Sequence, residues 1–210
     1  MTQDLTSLKE LHTQMHTCHL CVDNGFNVVP KAIFTGNYGA RIMSIGQAPG
    51  ITEVEAGRPF NAGSGVRLFQ WLNEAGIDEK WYRSTQYMTS VTKCFPGRAK
   101  SGNGDRVPSF AEQILCRPYL QREIELVNPR LIIPIGKLAI GLFYPKNMKL
   151  TDIIGTEKQV DGHWIVPLPH SSGASRWHQI EPNRVLIQQA IGLIRRHVKE
   201  IINPGTRPGG

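Results

Sequence analysis

The sequence predicts an α/β fold of three layers, with a central four-stranded parallel sheet flanked by helices. Two observations carry this. Short apolar runs of strand length alternate with segments of helical periodicity, as in a parallel sheet covered on both faces. Three of the segments that follow those runs are unusually dense in glycine, proline and small polar residues, and in open α/β sheets the ligand sits at the carboxyl ends of the strands.

Taken in order, residues 41–45 read as the first strand, running into Gly46-Gln47-Ala48-Pro49-Gly50. After a glycine-rich segment a helix is expected over 66–75. Residues 87–92 form the second strand, which ends on Lys93-Cys94-Phe95-Pro96-Gly97. Ser109 with Glu112 three residues on makes a capping box, opening a helix to residue 127 that Pro118 is expected to kink or restart. Residues 130–135 give a third strand and 137–144 a short helix. The fourth strand, 163–168, runs into Pro169-His170-Ser171-Ser172-Gly173-Ala174-Ser175. The last helix, 183–202, carries Leu186, Ala190, Ile194 and Val198 on one face. This topology brings the three unusual loops to one edge of the sheet.

The chain has 210 residues with 40% hydrophobic content, enough for one buried core. A single domain over 1–202 is expected, with 203–210 a flexible tail. The charge balance of 24 Lys plus Arg against 17 Asp plus Glu gives a formal +7, which suits a polyanionic partner. The N-terminus has neither a basic nor an apolar signal region, and no stretch is long and apolar enough to span a bilayer. A cytoplasmic monomer with no membrane partner is the expectation.

There are four cysteines. In a reducing compartment they are poor disulfide candidates, which leaves metal ligation. Cys18 and Cys21 form a two-residue-spaced pair that can bite from a single turn; Cys94 and Cys116 are separated by 21 residues, so the fold must assemble the site. Zinc and a [4Fe–4S] cluster both accept four thiolates, and burial of Cys94 and Cys116 as core thiols is the alternative. His12, His16 and His19 lie close enough in sequence to substitute as ligands.

These residues resemble a known family. Gly46-Gln47-Ala48-Pro49-Gly50, then Glu53, Gly57-Arg58-Pro59-Phe60 and Gly63-Ser64-Gly65, look like the first motif of the iron–sulfur uracil-DNA glycosylases of families 4 and 5. Residues 91–96 and Cys116-Arg117-Pro118-Tyr119-Leu120 look like the family's second cysteine pair, and His170-Ser171-Ser172-Gly173-Ala174-Ser175 like its His-Pro-Ser loop. The resemblance implies a [4Fe–4S] cluster on Cys18, Cys21, Cys94 and Cys116. It also implies excision of uracil, or a related deaminated base such as hypoxanthine or xanthine, from DNA after the nucleotide is flipped into a pocket. His170 would donate to O2 of the departing base, where negative charge develops. Phe60 would stack on the base, while Gly46, Gln47, Ala48 and Ser90 would line it, with Gln47 also catalytic because the backbone around Gln47 and Ala48 would hold the attacking water. Arg98 and Lys100, with Arg106 beside them in a glycine-rich loop, and Ser172, Ser175, Arg176 and Trp177 would meet the DNA.

The chain departs from the family pattern in places. Gln47 stands where family 4 enzymes usually carry Glu, Ala48 where the non-iron enzymes have a water-activating Asp, and Ser90 where many relatives have Asn. That leaves Glu53 as the first candidate to polarise water and Glu55 as the second. Ser171 replaces the usual Pro, and Ala174 stands where some glycosylases insert Leu, with Arg176 or Trp177 available as the wedge instead. The competing functions are a non-catalytic binder of damaged DNA and an iron–sulfur redox protein.

Overall fold

The computed structural model describes residues 2–100, 104–173 and 175–202. The tail at 203–210, Ala174 and the loop residues 101–103 lie outside the described residues. The elements follow in order as α1 (Thr2–His16), α2 (Leu20–Asp23), β1 (Ile42–Gly46), α3 (Ile51–Ala56), α4 (Ala62–Glu74), α5 (Glu79–Thr85), β2 (Tyr87–Ser90) and α6 (Phe110–Val127), then β3 (Leu131–Pro134), α7 (Lys137–Ile140), α8 (Leu150–Ile153), β4 (Lys158–Val160), β5 (His163–Ile165), a 3-10 turn (Trp177–Gln179) and α9 (Glu181–Ile202).

The strands lie in the order β2-β1-β3-β5-β4. The first four are parallel, with Met43 beside Tyr87 and Ile132, as expected. A fifth strand, β4, joins antiparallel at the edge. It folds onto β5 through Asp161 and Gly162, both with left-handed φ (50° and 86°), the tight turn whose twist matches a hairpin. Every residue of β1, β2 and β3 is buried, which is why β1, apart from Ser44, and β3 read as apolar runs. Because parallel crossovers are right-handed, the connections β1 to β2 and β2 to β3 run over opposite faces. α4 and α9 cover one face, with Leu68, Leu72, Ala190 and Ile194 fully buried. α1 and α6 pack together on the other.

α6 opens on the expected capping box: the Ser109 hydroxyl accepts from the Glu112 N–H, and the Glu112 carboxylate accepts from Ser109 N–H at 2.7 Å. It then continues through Pro118 as one helix, without the restart that was the alternative to a kink. Pro118 and Ile114 are both on the exposed face, so the carbonyl that lacks a proline N–H turns toward water. Among the described residues no helix is long and apolar enough to cross a membrane.

Candidate functional site

The chain switches direction between β1 and β3, since β1 leads to β2 on one side and β2 leads to β3 on the other. A crevice opens at the carboxyl ends of the strands at such a point. Here it is a cleft of about 1410 Å³ including its mouth. Gly46, Gln47 and Ala48 line it from the loop after β1, Glu53 from α3, Phe60 from the next loop, and His170, Ser172 and Ser175 from the segment after β5. The three loops singled out in the sequence thus contribute to one edge of the sheet, Pro96 representing the loop after β2.

Phe60 is held in a strained backbone conformation, with φ at 50° and Ala62 at 52°, where bulky residues are seldom found. Its N–H donates to the Glu53 carboxylate at 2.5 Å. The Arg83 guanidinium donates to the Pro59 carbonyl at 2.9 Å and the Phe60 carbonyl at 2.8 Å, and sits 4.3 Å from the centroid of the Phe69 ring. Below, a Cβ on Gly65 would fall 1.9 Å from the Phe60 carbonyl oxygen, and above, a Cβ on Gly46 would meet the Phe60 ring at 3.2 Å. Glycine in a helix ordinarily costs about 1 kcal/mol against alanine. At Gly65 the sign reverses: Gly65→Ala is expected to destabilise the fold by about 1–3 kcal/mol through overpacking, read from urea unfolding.

Glu53, taken from the sequence as the acid that polarises water, has a different set of partners. It accepts backbone N–H groups from Gly50, Phe60 and Asn61. Burial pushes its carboxyl upward against those bonds. These contacts make Glu53 a brace between α3 and the Phe60 loop, and any water would have to share its oxygens with them. Glu55 is exposed and does not line the cleft. Asp105, which the sequence reading missed, supplies a second carboxylate. A Cβ at Gly50 would lie 2.9 Å from Asp105 Oδ2 and 3.2 Å from Glu53 Oε2. Its signal was a lone acid between a glycine-rich segment and Arg106.

His170 packs against Gly136, where a Cβ would fall 2.9 Å from the imidazole Cδ2. Its Nδ1 accepts the Ser172 backbone N–H at 3.1 Å. A neutral imidazole carries one proton, so that proton resides on Nε2. Burial holds the ring below its ordinary value of 6.5. His170 therefore presents a neutral N–H donor at the cleft.

Ser90, expected at the substrate's edge, is 6% exposed. Its hydroxyl donates to the Thr92 carbonyl at 2.7 Å, and it lines a small pocket with the cleft residues Gly46, Ala48 and Phe60. The hydroxyl is satisfied by the backbone of its own loop.

Cys18, Cys21, Cys94 and Cys116 line one cavity of about 530 Å³ including its mouth. α1 positions the first pair: the Cys18 N–H donates to the Met15 carbonyl, and Met15 is buried in the core. Cys116 Sγ accepts the Lys93 N–H at 3.3 Å. His19 also lines the cavity, whereas His12 and His16 lie against the Phe34 ring. No three His, Cys, Asp or Glu side chains among the described residues converge closely enough for one metal ion. Four thiols lining one cavity are a donor set that zinc or a [4Fe–4S] cluster would accept.

The expected DNA contacts divide. Ser172 and Ser175 line the cleft; Arg98, Lys100, Arg176 and Trp177 do not. Arg98 pairs with Asp105 at 3.3 Å, and Lys100 and Arg176 are exposed. Trp177 is partly buried against the core. Arg106 lines the cleft, yet its guanidinium is committed to Glu112 through two bonds of 2.6 Å, which hold the Glu112 carboxyl down to about 2. Glu112 in turn lines the cysteine cavity, so this fork ties the two sites together.

Residues 33–191 match the model of the uracil DNA glycosylase superfamily. The chain is 31% identical to a type-4 uracil-DNA glycosylase of Thermotoga maritima over 79% of its own length and 80% of that protein. It is 32% identical to a type-4 uracil-DNA glycosylase of Pyrobaculum aerophilum over 70% of the chain and 72% of the relative. A type-5 uracil-DNA glycosylase of the same organism is 30% identical over 50% of the chain and 48% of the relative. With its switch-point cleft, its His170 donor and its four gathered thiols, the chain belongs to the uracil DNA glycosylase superfamily.

Proposed function

We propose that the protein is a base-excision glycosylase that hydrolyses the bond between a deaminated base and deoxyribose in DNA, leaving an abasic site. The observation that carries this is the neutral His170, with its proton on Nε2, lining the same cleft as the fixed Phe60 ring. A flipped uracil stacks on Phe60 while its O2 meets the His170 N–H. As the bond to C1′ breaks, its electron pair leaves with the base and the sugar becomes cationic. The Nε2–H stabilises the charge reaching O2. Water adds its oxygen to C1′ and releases a proton, and the uracil anion takes up a proton from solvent. The carboxylates of Glu53 and Asp105 favour the sugar cation electrostatically, so full deprotonation of water is not required. The first turn of α4, whose Asn61 side chain bonds Arg58 and the Thr52 carbonyl and does not cap the helix, leaves N–H groups at Gly63 and Ser64 for a phosphate beside the cleft. Ser172, Ser175, Arg98 and Lys100 extend that contact, with Arg176 or Trp177 entering the stack.

Ser90 offers the base no side-chain amide, and its hydroxyl is turned to the backbone. Backbone groups around Gln47 and Ala48 take that part. The substrate class then extends from uracil to hypoxanthine and xanthine, which share its lactam edge. Cys18, Cys21, Cys94 and Cys116 hold a [4Fe–4S] cluster, which supplies a crosslink between the N-terminal segment and the loop joining β2 to α6.

Oligonucleotides carrying uracil, hypoxanthine or xanthine, single- and double-stranded, test this. Alkali-labile breaks at the lesion are expected, with uracil cleaved in both forms, from protein containing iron and acid-labile sulfide. Intact strands across the panel overturn the enzymatic assignment, and lesion binding without breaks assigns the protein as a damaged-DNA binder. A zinc-only preparation overturns the cluster.

A further inference from the structure

A second pocket lies where α4, the 3-10 turn and the start of α9 meet. It holds about 590 Å³ including its mouth, and Arg67, Trp71, His178, Arg184 and Gln188 are among its lining residues. His178 is 5% exposed, yet neither ring nitrogen has a hydrogen-bond partner. Buried polar groups are nearly always satisfied, so an imidazole buried in the wall of this pocket with both nitrogens unpartnered points to a missing hydrogen-bond partner. The Trp71 ring meets His178 edge to face, with centroids 6.0 Å apart at 74°, and fixes its plane.

The surroundings select the sign of that ligand. Arg67 from α4 makes no ion pair among the described residues. Arg184 from α9 shares Glu181 at 2.6 Å, but both are mostly exposed, at 59% and 77%, where such pairs are weak. The remaining acid, Glu74, is bound by Gln188 Nε2 at 2.9 Å. Burial, then Arg67 and Arg184, press the His178 ring toward its neutral form, so it has an N–H to donate. Ser64 lines the cleft, while Arg67 and Trp71 follow three and seven residues later on the same stripe of α4. Those steps span about 4.5 and 10.5 Å along the helix, and a duplex strand advances ~3.4 Å per nucleotide. The pocket thus stands about one to three nucleotides from the base in the cleft.

We propose that Arg67, His178 and Arg184 form a subsite for a backbone phosphate of DNA on the strand that flanks the flipped nucleotide. Its position relative to the lesion rests on the excision activity proposed above, whereas its phosphate chemistry does not. The test uses a lesion-free duplex, so loss of excision and loss of this subsite are separately visible. Binding is measured by fluorescence anisotropy across a series of salt concentrations. Arg67→Gln and Arg184→Gln are each expected to weaken binding several-fold and to flatten the slope of log affinity against log salt by about 0.9, the value for one phosphate. Lys199→Gln, which removes the same charge from the last turn of α9, is the control and should leave the slope unchanged. If the three variants share one slope, the subsite is overturned. Inorganic phosphate, titrated while the His178 ring is followed by NMR, separates the two sources of phosphate. A His178 shift with no change in the DNA slope assigns the pocket to a free phosphate and overturns the DNA assignment.

Discussion

Replacing His170 with alanine is expected to lower single-turnover uracil excision by about 10²–10³-fold, the usual loss for one donor aimed at a developing oxyanion. The fold should survive, because the ring packs against Gly136 and, among the described residues, hydrogen-bonds within its own loop. Circular dichroism would show this. The size of the effect follows from the tautomer. With Nδ1 occupied by the Ser172 N–H, the cleft-facing nitrogen always carries the proton, and no reorganisation is needed as charge builds on the base. The pH dependence follows with its sign. Burial depresses the pKa below 6.5, so the working neutral form dominates at and above that value. Protonation at lower pH puts a hydrogen on Nδ1, which can then no longer accept from Ser172. Excision should fall as pH drops through the depressed pKa, and His170→Ala should lose that acidic limb. A variant with wild-type rates would remove His170 from the mechanism.

Glu123→Leu is expected to destabilise the protein by about 3–5 kcal/mol, because it leaves a buried ammonium unpaired. Glu123 is fully buried, and its carboxylate lies 2.6 Å from Lys93 Nζ, itself 3% exposed. Tyr87 and Thr89 donate to it at 3.1 and 2.9 Å. Lys93 also donates to Thr89 and to the Ser90 carbonyl, so the pair fastens α6 to the end of β2. For a chain of this size, about 2–4 °C per kcal/mol translates into a melting point lower by roughly 6–20 °C. The double variant Lys93→Met/Glu123→Leu should recover much of this, since an apolar pair of similar volume can replace a buried ion pair. If the double variant is as unstable as the single one, the network contributes by shape and not by charge.

The parallel core was legible in the sequence because β1 and β3 are buried on both faces and Ser44 is the one polar side chain in them. The capping box on α6 was legible because it is local. α1 was missed although Leu8, Leu11 and Met15, all core residues, repeat at helical spacing. The β4–β5 hairpin was also readable, from Asp161-Gly162 between short strands. In the site, motif residues identified Phe60 and His170, which line the cleft together. What lay beyond the sequence was every partner distant in the chain. Arg83 stands 23 residues from the carbonyl it clasps, and Asp105 reaches the cleft from a loop that reads as a basic grip. The inward turn of Ser90 depends on a two-residue bend after β2 that periodicity cannot express.

The clasp around Phe60 has a consequence for how a base is received. A free phenylalanine at a cleft edge would surrender rotational entropy each time a nucleotide stacked on it, and each encounter would begin with a search. Here that freedom is already gone before DNA arrives, removed as the chain folds, with the left-handed backbone of Phe60 storing roughly 1–3 kcal/mol that Gly65, Glu53 and Arg83 hold in place. The stacking surface is therefore a fixed fitting. On the function proposed above, a base that leaves the helix would meet it with no further ordering of the ring.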